Sequence, residues 1–198
     1  FCGVVGMKPT YGRVSRYGLT ALASSLDQIG PITKTVADAE KIYQVIAGPD
    51  ENDATTVDAP AFAPAELQRG EERLKIGVPR HLISSGVDQE VLENFEQTLE
   101  KLKQAGYEIS EIELPAVKYS LACYYIIMPA EASSNLSRFD GLRYGLKKEG
   151  SNLLEDYLQT RGSGFGPETR RRIILGTYVL SAGYYDAYYV QATRVREV

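Results

Sequence analysis

FCGVVGMKPTYGRVSRYGL, residues 1–19, and ASSLDQIGPIT, residues 23–33, decide how this chain is read. Both stretches are dense in Gly, Ser and Thr. Glycines stand at 3, 6, 12, 18 and 30, and prolines at 9 and 31. Glycine permits backbone conformations and close approaches that other residues resist. No helical period runs through the segment, so it predicts short strands joined by tight turns. Cys2-Gly3 reads like the inside of a folded core. Asp27 and Gln28, polar among apolar neighbours, predict hydrogen bonds at a turn or strand end.

Working outward, the pattern turns helical. Thr35 is a candidate N-cap with Asp38 as its capping-box partner. Val36, Ala39, Ile42, Tyr43 and Ile46 follow at helical spacing, and Gly48-Pro49 ends the run. Residues 50–73 lack periodicity and read as a surface excursion. LKIGVP, residues 74–79, predicts a strand. Asp88 opens a helix carrying Val91, Phe95, Leu99 and Leu102, and Gly106 closes it. The next strand, from Tyr107, slips out of alternation after Ser110 and predicts a bulge or an early end. Strand, helix, strand at these lengths predicts a βαβ unit. From Leu121 onward helices dominate. Ser151 predicts a cap for a short helix ending at Tyr157, and 162–166 a loop. Pro167 and Glu168 suit a last helix running from 167 through Ala192 and expected to continue beyond Val198, since nothing stops it there.

Composition narrows the classes of function. The 198 residues hold 43% hydrophobic and 24% charged side chains, which is ordinary for a globular protein and argues against disorder of the whole chain. A net charge of −4 argues against a broad phosphate-binding surface. No apolar run reaches the roughly 18 residues of a membrane span. Two cysteines, Cys2 and Cys123, predict two buried thiols rather than a disulfide framework. One histidine, His81, excludes a His-pair metal site and reads as a surface residue. Neither a phosphate-binding loop nor a dinucleotide fingerprint is present.

The residues left to carry chemistry are few. Arg170 and Arg171 read as a solvated face. Arg172 adjoins Ile173-Ile174-Leu175 and begins the apolar face. Two readings stand for it: a fork for a substrate carboxylate, or an ion pair with Asp140 or Asp186. Tyr124-Tyr125 and the tyrosines at 184, 185, 188 and 189 are either wet helix rims or a pocket wall with hydroxyl donors. The serine pairs 24–25, 84–85 and 133–134 lack a lysine or histidine neighbour, so capping or packing is their reading rather than nucleophilic attack.

MKPTYGRVSRYGL and ASSLDQIGPIT resemble the amidase signature family of Ser-Ser-Lys amidohydrolases. YYIIMPAEASSNLSRFDGLRYG and RRRIILGTYVLSAGYYDAYY resemble, more narrowly, the A-subunit family of glutamyl/aspartyl-tRNA amidotransferases within it. The resemblance implies an α/β fold, a mixed β-sheet covered by helices on both faces, incomplete at both ends. It implies one partial domain over residues 1–198, a central piece whose nucleophile, second serine and lysine lie before Phe1. No catalytic residue is then expected here, and the piece alone is expected to be inactive. The implied reaction is hydrolysis of glutamine to glutamate and ammonia. The ammonia serves amidation of Glu-tRNA or Asp-tRNA on a B subunit that uses ATP and Mg, braced by a C subunit. Tyr124 matches the family's pocket tyrosine, and Arg172 its arginine for the substrate α-carboxylate. Pro129 is expected to kink its helix without displacing Tyr124. A bacterial cytoplasmic or organellar setting, no cofactor or metal in this chain, no membrane, tRNA contact mainly through the complex, and self-association through exposed core surface complete the expectation. Two alternatives remain beside it: another amidase-signature hydrolase with no tRNA role, or a non-catalytic scaffold module.

Overall fold

The computed structural model describes residues 2–58, 75–83 and 85–198. The chain divides into two compact units, one built from Phe1–Ala61 with Lys118–Val198 and the other from Phe62–Val117. The second half of the surface excursion, residues 59–73, and the strand start at Leu74 lie outside the described residues, as does Ser84.

In the first unit the glycine-rich segment forms turns around a two-residue antiparallel pair, β1 (Val5–Gly6) with β2 (Ile32–Thr33), Val5 opposite Thr33. Gly30 has no room for a side chain, since a Cβ there would sit 2.0 Å from the Met7 carbonyl oxygen. Asp27 takes the predicted turn role: its carboxylate accepts from the Leu22 and Ala23 N–H groups at 2.9 and 3.1 Å.

Helix α1 (Val36–Ile46) begins where Thr35 Oγ1 accepts from Asp38 N at 3.1 Å. The Asp38 carboxylate answers through the Thr35 hydroxyl at 2.7 Å, too short to reach the backbone as glutamate does in a full box. Only Ala39 and Tyr43 are buried on α1. Val36 and Ile42, expected on the same face, are exposed, because the short β1–β2 pair covers only a narrow stripe of the helix. The part of the excursion that is described, residues 50–58, is tied down: Ser15 Oγ donates to Asp50 at 2.6 Å, and Asp53 accepts from Arg16 N at 2.8 Å. Hydrogen bonds from Thr55 and the Arg16 N–H, with the Arg16 charge added, hold the Asp53 carboxyl down at about 2.

The remaining helices of this unit are α3 (Ser120–Leu136), α4 (Leu153–Gly164), α5 (Pro167–Val179) and α6 (Gln191–Arg196). Helix α3 carries the core. Ile127, Met128, Pro129, Ala130 and Ala132 are buried along it, and Ala23 of the glycine-rich segment packs with Met128 and Ala132. Its C-terminal carbonyls are met by one side chain of α4, since Arg161 Nη1 donates to Leu136 O and Phe139 O at 3.1 and 3.2 Å.

Two sequence expectations fail in this stretch. Helix α4 is capped by Asn152, not Ser151, and runs through Gly164 where a loop was expected. Asn152 Oδ1 accepts from Glu155 N at 3.1 Å, while Ser151 binds the Glu155 carboxylate one position outside the helix. The last helix is not one uninterrupted run either. It stops at Val179, turns through Gly183 at φ 87°, and resumes as a π-helical turn, Tyr185–Val190, before α6. A left-handed residue has no place in a right-handed helix, so Gly183 keeps α5 and the π-helical turn from being one helix.

The second unit pairs β3 (Lys75–Val78) with β4 (Glu108–Glu111) in parallel, Ile76 opposite Ile109, across α2 (Gln89–Gln104). This is the predicted βαβ unit, and β4 ends early at Glu111 as its broken alternation required. Asp88 occupies the cap position of α2, but its side chain makes no capping bond; only its carbonyl accepts, from Val91 and Leu92 N–H. The C-terminus follows its glycine. Gly106, at φ 87°, donates to Lys103 O at 2.8 Å and Tyr107 to Leu102 O at 3.0 Å, the paired closure of a Schellman motif. Across the described residues the chain is thus α/β, with one antiparallel and one parallel two-stranded sheet. Among them no helix is long and apolar enough to cross a membrane. Apolar side chains face solvent on β2 and α1, where Ile32, Val36 and Val45 are 74%, 72% and 84% exposed.

Candidate functional site

Among the described residues helices α3 and α5 share the most extensive contact, and the sequence dictates where their backbones meet. A Cβ on Gly176 would fall 1.9 Å from the Pro129 carbonyl oxygen and 2.8 Å from Ser133 Cβ. Only glycine lets the two backbones meet. Pro129 sits inside α3 without breaking it and is fully buried. Having no N–H, it leaves the Tyr125 carbonyl without its usual intrahelical donor.

One helical turn before Gly176, Arg172 lies against α3. Its Nη1 is 3.7 Å from Met128 Sδ, and its Nε is 3.0 Å from Glu168 Oε1. The Arg172 side chain is 25% exposed, whereas that of Arg171 is 70% exposed. Arg170 is exposed as well. The three arginines therefore divide as the sequence suggested, two on a wet face and one turned inward. The ion-pair partner is neither Asp140 nor Asp186 but Glu168, one turn back on the same helix. Asp140 is engaged locally, accepting from Leu142 N at 2.9 Å. The spacing of four between Glu168 and Arg172 was readable as a helix pair. The sulfur contact across 44 residues had no sequence signal.

Tyr124 stands one turn before Met128 on α3, half-exposed, its ring edge-on to Tyr125 at 5.3 Å. The structure thus places the two candidate residues on the two packed helices, each within one turn of Met128 or touching it. No direct contact links them. The Glu168 carboxylate also accepts from Arg171 Nη1 at 2.8 Å, so one acid bridges two arginines.

The later tyrosines form two groups rather than a lining for this site, exposed apart from the half-buried Tyr189. Tyr184 and Tyr188 stack at 6.0 Å beside Tyr178, and Tyr185 stacks on Tyr189 at 5.4 Å. The neighbouring Tyr184 hydroxyl, followed by burial, pushes Tyr178 up to about 12. Burial, followed by the Glu131 charge, raises Tyr189.

Sequence reasoning missed the joint beside them. Glu131 accepts from Ser25 N at 2.8 Å and Ser25 Oγ at 2.5 Å, and Arg196 Nη1 donates to Ser25 Oγ at 2.7 Å. Asn135 Nδ2 donates to Ser24 Oγ at 2.9 Å. The first serine pair therefore ties the glycine-rich segment to α3 and α6, which is the packing role expected of it. Ser133 Oγ likewise donates to its own helix, to Ala130 O. Two smaller expectations concern single residues. His81 pairs with Glu113 at 3.5 Å, close to the surface as expected. Cys2, expected to be buried, is exposed, and Cys123 is half-buried.

A sequence model of the amidase family matches residues 1–198, the whole chain. The glutamyl-tRNA(Gln) amidotransferase A subunit of Thermotoga maritima is 53% identical over 195 residues, covering 98% of this chain and 41% of its own length. Its counterpart in Roseiflexus castenholzii is 55% identical over 196 residues, again 98% of this chain and 40% of its own. The chain thus spans about two fifths of the curated relatives it matches. Among solved structures, that of the Thermotoga maritima protein superposes with a TM-score of 0.70 at 46% identity, over 99% of this chain and 38% of that one. The native peptide amidase of Stenotrophomonas maltophilia superposes at 0.65 with 28% identity, over 97% of this chain and 40% of that one. Matched along its whole length by sequence and in fold, the chain belongs to the amidase family.

Proposed function

We propose that the protein carrying this chain is the glutamine-hydrolysing subunit of a tRNA-dependent amidotransferase, and that this chain supplies one wall of its glutamine pocket. The observation that carries the reading is Arg172: the one inward-facing member of its triplet, on a stretch more than half identical to proteins of that name. Its guanidinium fork suits the glutamine α-carboxylate, which two parallel charge-assisted hydrogen bonds can hold. Tyr124, half-exposed one turn before Met128, supplies a ring and a hydroxyl to the same wall. Glutamine is cleaved to glutamate and ammonia, and the ammonia amidates Glu-tRNA or Asp-tRNA on a partner that uses ATP and Mg. A second partner braces the pair. The setting is a bacterial cytoplasm or an organelle.

The test is glutaminase kinetics on the complete protein. Arg172→Ala is expected to raise the glutamine KM roughly 30- to 1000-fold, the loss of about 2–4 kcal/mol of charge-assisted binding. Arg170→Ala is expected to leave KM unchanged. Equal effects from the two would remove Arg172 from the pocket. The likeness to the Stenotrophomonas maltophilia peptide amidase favours a second reading, an amide hydrolase with no tRNA role. Co-purification of partner proteins with the complete protein separates the two.

A further inference from the structure

Within that pocket reading, on which the step rests, we propose that Glu168 is the positioning residue of Arg172. A guanidinium has a side edge at Nε and a terminal edge at its two Nη nitrogens. Glu168 Oε1 holds the Nε edge at 3.0 Å. The opposing contact, Nη1 to Met128 Sδ at 3.7 Å, is to a weak acceptor that a ligand carboxylate readily replaces. The terminal edge is therefore the one offered to the ligand.

The acid itself is well anchored. Pro167 fixes the first residue of α5, and Glu168 follows in the first turn, where the helix N-terminus favours a carboxylate. Its second oxygen is held by Arg171 Nη1 at 2.8 Å. Bridged on both oxygens, Glu168 stays in place when a ligand arrives. Arg171, 70% exposed, acts as the outer tether of this bridge. An exposed ion pair of this spacing contributes little to folding stability. Its consequence lies in orientation: an arginine already locked in one rotamer loses less freedom on binding.

Glutaminase kinetics of the complete protein in its assembly test this. Glu168→Ala is expected to raise the glutamine KM about three- to tenfold, the range set by freeing one ordered side chain. The kcat and Tm are expected to stay near wild type. Glu168→Gln keeps an acceptor for Nε and is expected to restore most of the affinity. In the double variant, Glu168→Ala adds nothing to Arg172→Ala. If Arg172→Ala raises KM and Glu168→Ala does not, the positioning role is overturned and the pocket stands. If Arg172→Ala itself leaves KM unchanged, the pocket reading fails instead. A fall in kcat or Tm with Glu168→Ala, unrescued by Gln, would make the residue structural.

Discussion

The α3–α5 pair and the β3–α2–β4 unit are held together on different principles. In the βαβ unit the elements and their ends are set locally, although β3 and β4 pair across 33 residues: a glycine at the end of α2, a strand that ends where its alternation breaks, a core residue such as Leu99 at helical spacing. In the helix pair the decisive contacts join residues far apart in sequence. Gly176 meets Pro129, Arg172 meets Met128, and Ser25 meets Glu131 across 106 residues. Local rules set the element ends of the βαβ unit, and long-range geometry fixes the helix pair. Substitutions at the long-range contacts should therefore cost more than those at the local ones.

The largest effect is expected at Gly176. Its missing side chain lets a buried backbone carbonyl come within what would be 1.9 Å of a Cβ. No flexible side chain stands there to give way, since the obstacle is the Pro129 backbone itself. Gly176→Val must push α5 off α3, at a cost of about 3 kcal/mol or more. Chemical denaturation measures it. A loss below about 1 kcal/mol, the mean for an ordinary point substitution, would show that the helices do not depend on this contact.

That contrast also explains what the sequence made legible. The caps at Thr35 and Gly106, strands β3 and β4 as segments and the inward turn of Arg172 all follow from residue type and spacing, because each is decided within a few residues. The stop after Val179 was missed although Gly183 was visible. The apolar, tyrosine-rich run on both sides promised a continuous helix, and propensity says nothing about a left-handed turn that tertiary packing selects. Glu168 was seen as a helix-dipole residue, while its reach to Arg172 needed only the spacing rule. Glu131 was beyond reach by any pattern: a glutamate in a row of small residues gives no sign that its partner is a serine in the glycine-rich segment. The two candidate residues could be placed on two helices, and the contacts that hold them there could not.

The joint around Ser25 gives the next effect in size. Glu131 accepts two hydrogen bonds from one residue, and Arg196 donates to the same hydroxyl. Glu131→Ala strips the carboxylate and leaves the Ser25 N–H without its acceptor. A loss of about 1.5–3 kcal/mol is expected, the range for hydrogen bonds to a charged group. Ser25→Ala keeps the backbone donor to Glu131 and should cost less. If the serine variant costs as much as the glutamate variant, the hydroxyl rather than the carboxylate is the centre of the joint, and the long-range character of this unit rests on Arg196 as well.

The smallest effect belongs to the βαβ unit. Gly106→Ala forces a Cβ into a backbone position at φ 87°. The left-handed conformation costs an L-residue about 1–2 kcal/mol, and the alanine offsets part of that by stiffening the unfolded chain. A net loss near 1 kcal/mol is expected, with the two closing hydrogen bonds to Lys103 O and Leu102 O retained. Hydrogen exchange at residue 106 and at Tyr107, in wild type and variant, shows whether those bonds persist. If they vanish and the loss approaches that of Gly176→Val, the end of α2 is no local matter, and the division between the two regions collapses. If the bonds persist and the loss stays near 1 kcal/mol, the cost is that of one strained backbone position, confined to the residue where it arises.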